Sequence, residues 1–162
     1  DATARFEKDD AAQKAFSNTV TLDGLKADDY DAIFYPGGHG PLWDLATDTK
    51  SIALIEAFVV QNKPVAAVCH GPAALVNAKT TDGKPLVAGK KVTGFTNDEE
   101  KAVGLEKVVP LSIEDKFNKQ GGLYERGEMW ASYTVADGKL VTGQNPGSSD
   151  ATADAVMKLL GK

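Results

Sequence analysis

The chain has 162 residues, of which 42% are hydrophobic and 25% charged, and its formal net charge is −5. This suits one globular domain spanning residues 1–162. No apolar run approaches the ~20 residues needed to cross a bilayer, and an acidic balance without a basic block argues against a nucleic-acid or anionic-membrane surface.

Residues 9–16 are Ala-rich and predict a short helix. Asp31-Ala-Ile-Phe-Tyr35 is a compact apolar run that ends at Pro36-Gly37-Gly38, which predicts a buried strand feeding a glycine turn. Helical spacing of Ile52, Ile55 and Val59 predicts a helix over 49–61, stopped by Asn62 and Pro64. Val65-Ala-Ala-Val68 reads as a second buried strand. It runs straight into Cys69-His70-Gly71-Pro72 and a helix start at 73–76, with proline near its first turn. A third strand is expected over 91–95, then helices over 98–103 and 112–119, the latter ended by Gly121-Gly122. Strands at 131–135 and 139–142 flank Asp137-Gly138, a hairpin signal. Ser148 or Ser149 is expected to cap a last helix that runs to Leu160. Strands alternating with helices imply a layered α/β fold with a mostly parallel sheet. Ligands of such sheets sit beyond the carboxyl ends of the strands, where both Gly37-Gly38 and Cys69 fall.

Ala67-Val-Cys-His-Gly-Pro72 carries the strongest chemical signal. A buried strand, a reactive residue, a small residue two positions on and a helix make the cysteine counterpart of a nucleophile elbow. The turn is expected to expose the sulfur, and the helix N-terminus to favour its thiolate. A lone cysteine is otherwise a small apolar core residue; the flanking pattern is what argues against that here. His70 is the nearer candidate base, although adjacent helical residues do not face each other. His39 is its rival and a site-lining candidate. Gly37, Gly38 and the N–H of His70 are candidate oxyanion donors. Two histidines and one cysteine have no zinc spacing, and Gly37-Gly-His-Gly40 lacks the Lys-Ser/Thr of a phosphate loop, so neither a metal nor a cofactor is expected. The one cysteine permits no internal disulfide, which suits a reducing compartment and a cytoplasmic protein.

Tyr35-Pro-Gly-Gly-His-Gly-Pro-Leu-Trp-Asp-Leu45, Ala67-Val-Cys-His-Gly-Pro-Ala-Ala-Leu75, Gly83-Lys-Pro-Leu86, Val92-Thr-Gly-Phe-Thr96 and Val141-Thr-Gly-Gln-Asn-Pro146 resemble the ThiJ/PfpI superfamily. They look most like its heat-shock-type branch of glutathione-independent glyoxalases. The resemblance implies a flavodoxin-like three-layer sandwich and usually a homodimer. It implies Cys69 as nucleophile, His70 as its partner and an acid after Thr96 as orienter; Glu100 matches best by position, with Glu99 and Asp98 close by. The implied reaction converts methylglyoxal-type 2-oxoaldehydes to D-lactate. Amide hydrolysis or protein deglycation, as in other relatives, is the enzymatic alternative; a stress holdase or a thiol redox sensor is the non-enzymatic one. Trp43 and Trp130 are candidates for an exposed patch or a dimer contact. The resemblance also implies a strand–helix–strand before this region, carrying a glutamate that bonds the sulfur. The chain begins at Asp1 without an initiator Met and shows no counterpart. The sheet is therefore expected to lack central strands, either because the protein is cleaved or incomplete or because another chain supplies the piece, and a fragment of this extent is expected to be unstable and inactive.

Overall fold

The computed structural model describes residues 2–162; Asp1 lies outside them. Its main sheet has four strands in the order β1 (Ile33–Tyr35), β2 (Val65–Val68), β6 (Leu140–Gly143), β5 (Thr134–Asp137). β1, β2 and β6 run parallel, and β5 is antiparallel to β6 at one edge. β3 (Lys91–Val92) and β4 (Leu123–Tyr124) form a separate parallel pair.

A parallel strand covered on both faces needs an unbroken apolar run, and all four residues of β2 are buried. Val65 and Ala67 join the larger core with Ile55 and Phe58 of α3 (Thr49–Val60). Ala66 joins Val141 and Val156 of α6 (Ser149–Leu159) in the smaller one. The period-2 alternation of strand side chains thus puts one helical layer on each side of the sheet, which is the expected flavodoxin-like sandwich. α1 (Ala2–Glu7) and α2 (Asp10–Ser17) pack together through Phe6 and Phe16, whose rings meet edge to face at 5.7 Å.

α2, α3, α4 (Asn97–Ala102) and α5 (Ile113–Lys119) fall within a residue or two of the expected helices. Asp48 and Ser112 cap α3 and α5 by accepting from backbone N–H groups. Other expectations need correction. The helix after Cys69 is only a 3₁₀ segment, Gly71–Leu75. The Val76 carbonyl accepts from the Gln120 side-chain amide, and the chain turns back so that Leu86 N–H bonds Ala78 O. The third strand stops at Val92 because Thr93 N–H turns to the Thr142 hydroxyl and Phe95 N–H to the Cys69 carbonyl. Asp137 stays in its strand, so the hairpin turn is Gly138-Lys139, with Gly138 at φ +62°. Ser148 precedes α6, but its hydroxyl serves Asn145 and Tyr133 and caps no α6 N–H.

Candidate active site

β1 and β2 are parallel neighbours, so their carboxyl ends meet, and two glycines let the loops beyond them interlock. A Cβ on Gly71 would stand 2.3 Å from the Tyr35 carbonyl oxygen. One on Gly37 would stand 2.7 Å from Cys69 Cβ and 3.1 Å from its Sγ. Cys69 itself is left-handed, with φ +62°. That conformation is unfavourable for a residue with a side chain, and the elbow holds it from both sides: Cys69 N–H donates to Gly143 O at 3.0 Å, and its carbonyl accepts from Phe95 N–H at 2.9 Å.

The turn brings adjacent side chains together in a way a helix does not. Cys69 Sγ lies 3.5 Å from His70 Nδ1. His70 Nε2 lies 2.6 Å from Glu100 Oε2, and the other carboxylate oxygen lies 3.2 Å from His39 Nε2. A carboxylate only accepts, so His70 donates from Nε2 and presents a bare Nδ1 to the thiol. The imidazoles of His39 and His70 stack at 3.9 Å, and Phe95 covers His70 at 4.1 Å. Trp130, half-exposed and left-handed at φ +66°, meets Phe95 edge to face. The structure therefore assembles Cys69, His70, His39 and Glu100 with the Gly37-Gly38 bend.

The expected open, ionised sulfur is corrected. Cys69 is 6% exposed and His70 1%. Burial raises the thiol above its ordinary 9.0, and the carboxylates of Glu99 and Glu100 add to this. The backbone N–H groups of Gly38 and His70 pull the other way without prevailing. Burial likewise lowers His70 below 6.5 against the opposing pull of Glu100. At neutral pH both shifts favour a thiol beside a neutral imidazole over the ion pair.

Successive residues on a helix point ~100° apart, and this separates the three acids of α4. Asp98 pairs with Arg126 at the surface. Glu100 turns to the two histidines. Glu99, fully buried, accepts at one oxygen from Trp130 N–H, Gln144 Nε2 and Asn145 Nδ2, and at the other from Thr96 N–H and Oγ1. Burial alone would raise its carboxyl; these donors hold it below 4.5. The bracing by Glu99, Gln144 and Asn145 and the aromatic cover of Phe95 and Trp130 went unread in the sequence, although Thr96-x-x-Glu99 is a capping-box signature. His39, His70 and Glu100 lie on three separate segments, so their sequence spacing gave no sign that their ligand atoms all lie within 4.8 Å of one another.

The DJ-1/PfpI family model matches residues 7–159. The chain is 37% identical over 163 aligned residues to the glutathione-independent glyoxalase HSP31 of Saccharomyces cerevisiae, covering 94% of this chain and 67% of that protein. Among solved structures, the Rapid Encystment Protein 24 kDa of Francisella tularensis superposes with a TM-score of 0.90 at 37% identity, over 96% of this chain and 69% of that one. Glyoxalase III of Candida albicans superposes with a TM-score of 0.80 at 32% identity, over 91% and 69%. The chain spans 62–67% of the length of the first curated relatives it matches.

Proposed function

The chain belongs to the DJ-1/PfpI family, and from that premise we propose that it is a glutathione-independent glyoxalase that converts 2-oxoaldehydes such as methylglyoxal to lactate. The carrying observation is the relay in which His70 Nδ1 faces Cys69 Sγ at 3.5 Å while Nε2 is held by Glu100 at 2.6 Å.

The sulfur adds to the aldehyde carbon as its proton passes to His70 Nδ1. A thiol with a raised pKa does not ionise beforehand, so transfer accompanies attack. The aldehyde oxygen takes up negative charge beside the N–H groups of Gly38 and His70, then takes the proton from His70 to complete a hemithioacetal. His70, neutral again, removes the hydrogen from the former aldehyde carbon, giving an enediolate. Returning that proton to the neighbouring carbon, while the hydroxyl proton on the former aldehyde oxygen passes to the neighbouring oxygen, gives a lactoyl thioester. Water cleaves the thioester, releases lactate and restores the thiol. Glu100 keeps the imidazole in one tautomer and bears against the charge it acquires. Without Glu100, Nδ1 is no longer reserved for the sulfur.

A cytoplasmic homodimer is part of the same reading. It is supported by the family resemblance and by a chemistry that needs the thiol reduced; sedimentation at micromolar concentration tests the dimer. For the activity, lactate is measured from methylglyoxal without glutathione, for the wild-type protein and Cys69→Ala. Glutathione-independent lactate that disappears in the variant supports the assignment; equal turnover in both overturns it.

A further inference from the structure

We propose that His39, His70 and Glu100 form a binding site for one divalent transition-metal cation of the zinc type, which arrests the Cys69–His70 relay by occupying the Nε2 side of His70. The consequence for turnover rests on the glyoxalase reading; the binding does not.

Two imidazole nitrogens and a carboxylate are a donor set that favours zinc over calcium or magnesium. In a tetrahedral site with bonds of about 2.0–2.1 Å, ligand atoms stand roughly 3.4 Å apart. Glu100 already holds its oxygens 3.2 Å from His39 Nε2 and 2.6 Å from His70 Nε2, and the three ligand atoms lie within 4.8 Å of one another. A cation entering there replaces the hydrogens now shared with the carboxylate and leaves a fourth position for water.

Two of the ligands are preset and one adjusts. His70 and Glu100 are buried, whereas the His39 side chain is 38% exposed and follows Gly38 at φ +95°. The rings of His39 and His70 are tilted 34° from each other at 3.9 Å. Binding therefore requires the His39 ring to swing, and that ring also opens the route from solvent. The sulfur stands on the other nitrogen of His70, so it is not a ligand in this arrangement.

The chemical consequence follows from proton bookkeeping on one ring. Neutral His70 carries a single ring hydrogen, on Nε2 when Glu100 accepts it. With a cation on Nε2 that hydrogen moves to Nδ1, and the nitrogen facing Cys69 can no longer accept the thiol proton.

Zinc is titrated into the purified protein in competition with a chromophoric chelator. The proposal expects one zinc per chain. It expects His39→Ala, His39→Gln and Glu100→Gln each to weaken binding by more than about tenfold, and Cys69→Ala to bind as the wild type does. Zinc should also shift the ring resonances of both histidines in the folded wild-type protein, a readout that needs no variant. Absence of stoichiometric binding overturns the proposal. So does binding that is lost in Cys69→Ala but kept in His39→Ala, which puts the ion on the sulfur. Chelator competition and lactate formation are read separately, so failure of either reading leaves the other measurable.

Discussion

Glu100 holds His70 Nε2 at 2.6 Å and thereby decides which nitrogen faces Cys69. The carboxylate chooses the tautomer, the tautomer leaves Nδ1 bare, and Nδ1 is the acceptor 3.5 Å from the sulfur. Loss of His70 as His70→Ala is expected to lower kcat/KM for methylglyoxal by about 10²–10⁴-fold. Glu100→Gln, which can accept through its carbonyl but lacks the charge, should cost less than His70→Ala. Steady-state kinetics on the two variants check the order; a larger loss in Glu100→Gln would mean that the carboxylate acts other than through the imidazole.

Alkylation of Cys69 by iodoacetamide should still climb with pH above 9.0 rather than level off near neutrality. Burial disfavours the thiolate and raises the pKa from that value. A plateau below pH 8 would contradict the buried-thiol description.

Glu99→Gln is expected to destabilise the protein by roughly 3 kcal/mol. Both carboxylate oxygens receive donors, so an amide nitrogen faces a donor whichever way it is placed. The melting temperature of the purified variant measures this, and wild-type stability would exclude the bracing role.

Stability should fall as the solution is acidified. Both His70 and Glu99 have folded pKa values depressed below their ordinary 6.5 and 4.5. The unfolded chain therefore binds the proton first, and the native state loses ground as pH drops through each folded value. The His70 contribution is complete above pH 6.5 and fades below it; that of Glu99 is complete above 4.5. Urea unfolding between pH 7 and pH 4 tests the sign.

Gly71→Ala should be worse tolerated than Gly37→Ala. At Gly71 the new methyl meets the backbone oxygen of Tyr35 at 2.3 Å; at Gly37 it meets the Cys69 side chain. Gly71→Ala is expected to cost about 1–3 kcal/mol or more in stability. Gly37→Ala should displace the sulfur and lower activity at a smaller cost. Comparing melting temperature with kcat/KM in both variants separates the two effects.

Much of this was legible because single segments carried it. The run Val65–Val68 gave a buried strand, the glycines around Cys69 gave the elbow, and Ile52, Ile55 and Val59 gave α3. Features made by long-range contacts were not. Val76 looks helical, yet its carbonyl goes to Gln120; Thr93 to Phe95 look like strand, yet their N–H groups leave for Thr142 and Cys69. The thiolate expectation failed for the same reason, since burial is decided by the whole fold. Three consecutive acids offered no local way to tell Glu99 from Glu100, and the divergence of the helix face supplies it.

The most direct test of Cys69 as nucleophile is rapid-quench mass spectrometry of the protein turning over methylglyoxal. The account predicts a transient gain of one methylglyoxal mass on the peptide containing Cys69, rising and decaying as lactate accumulates. Lactate formed at the full rate with no modification of that peptide would contradict it.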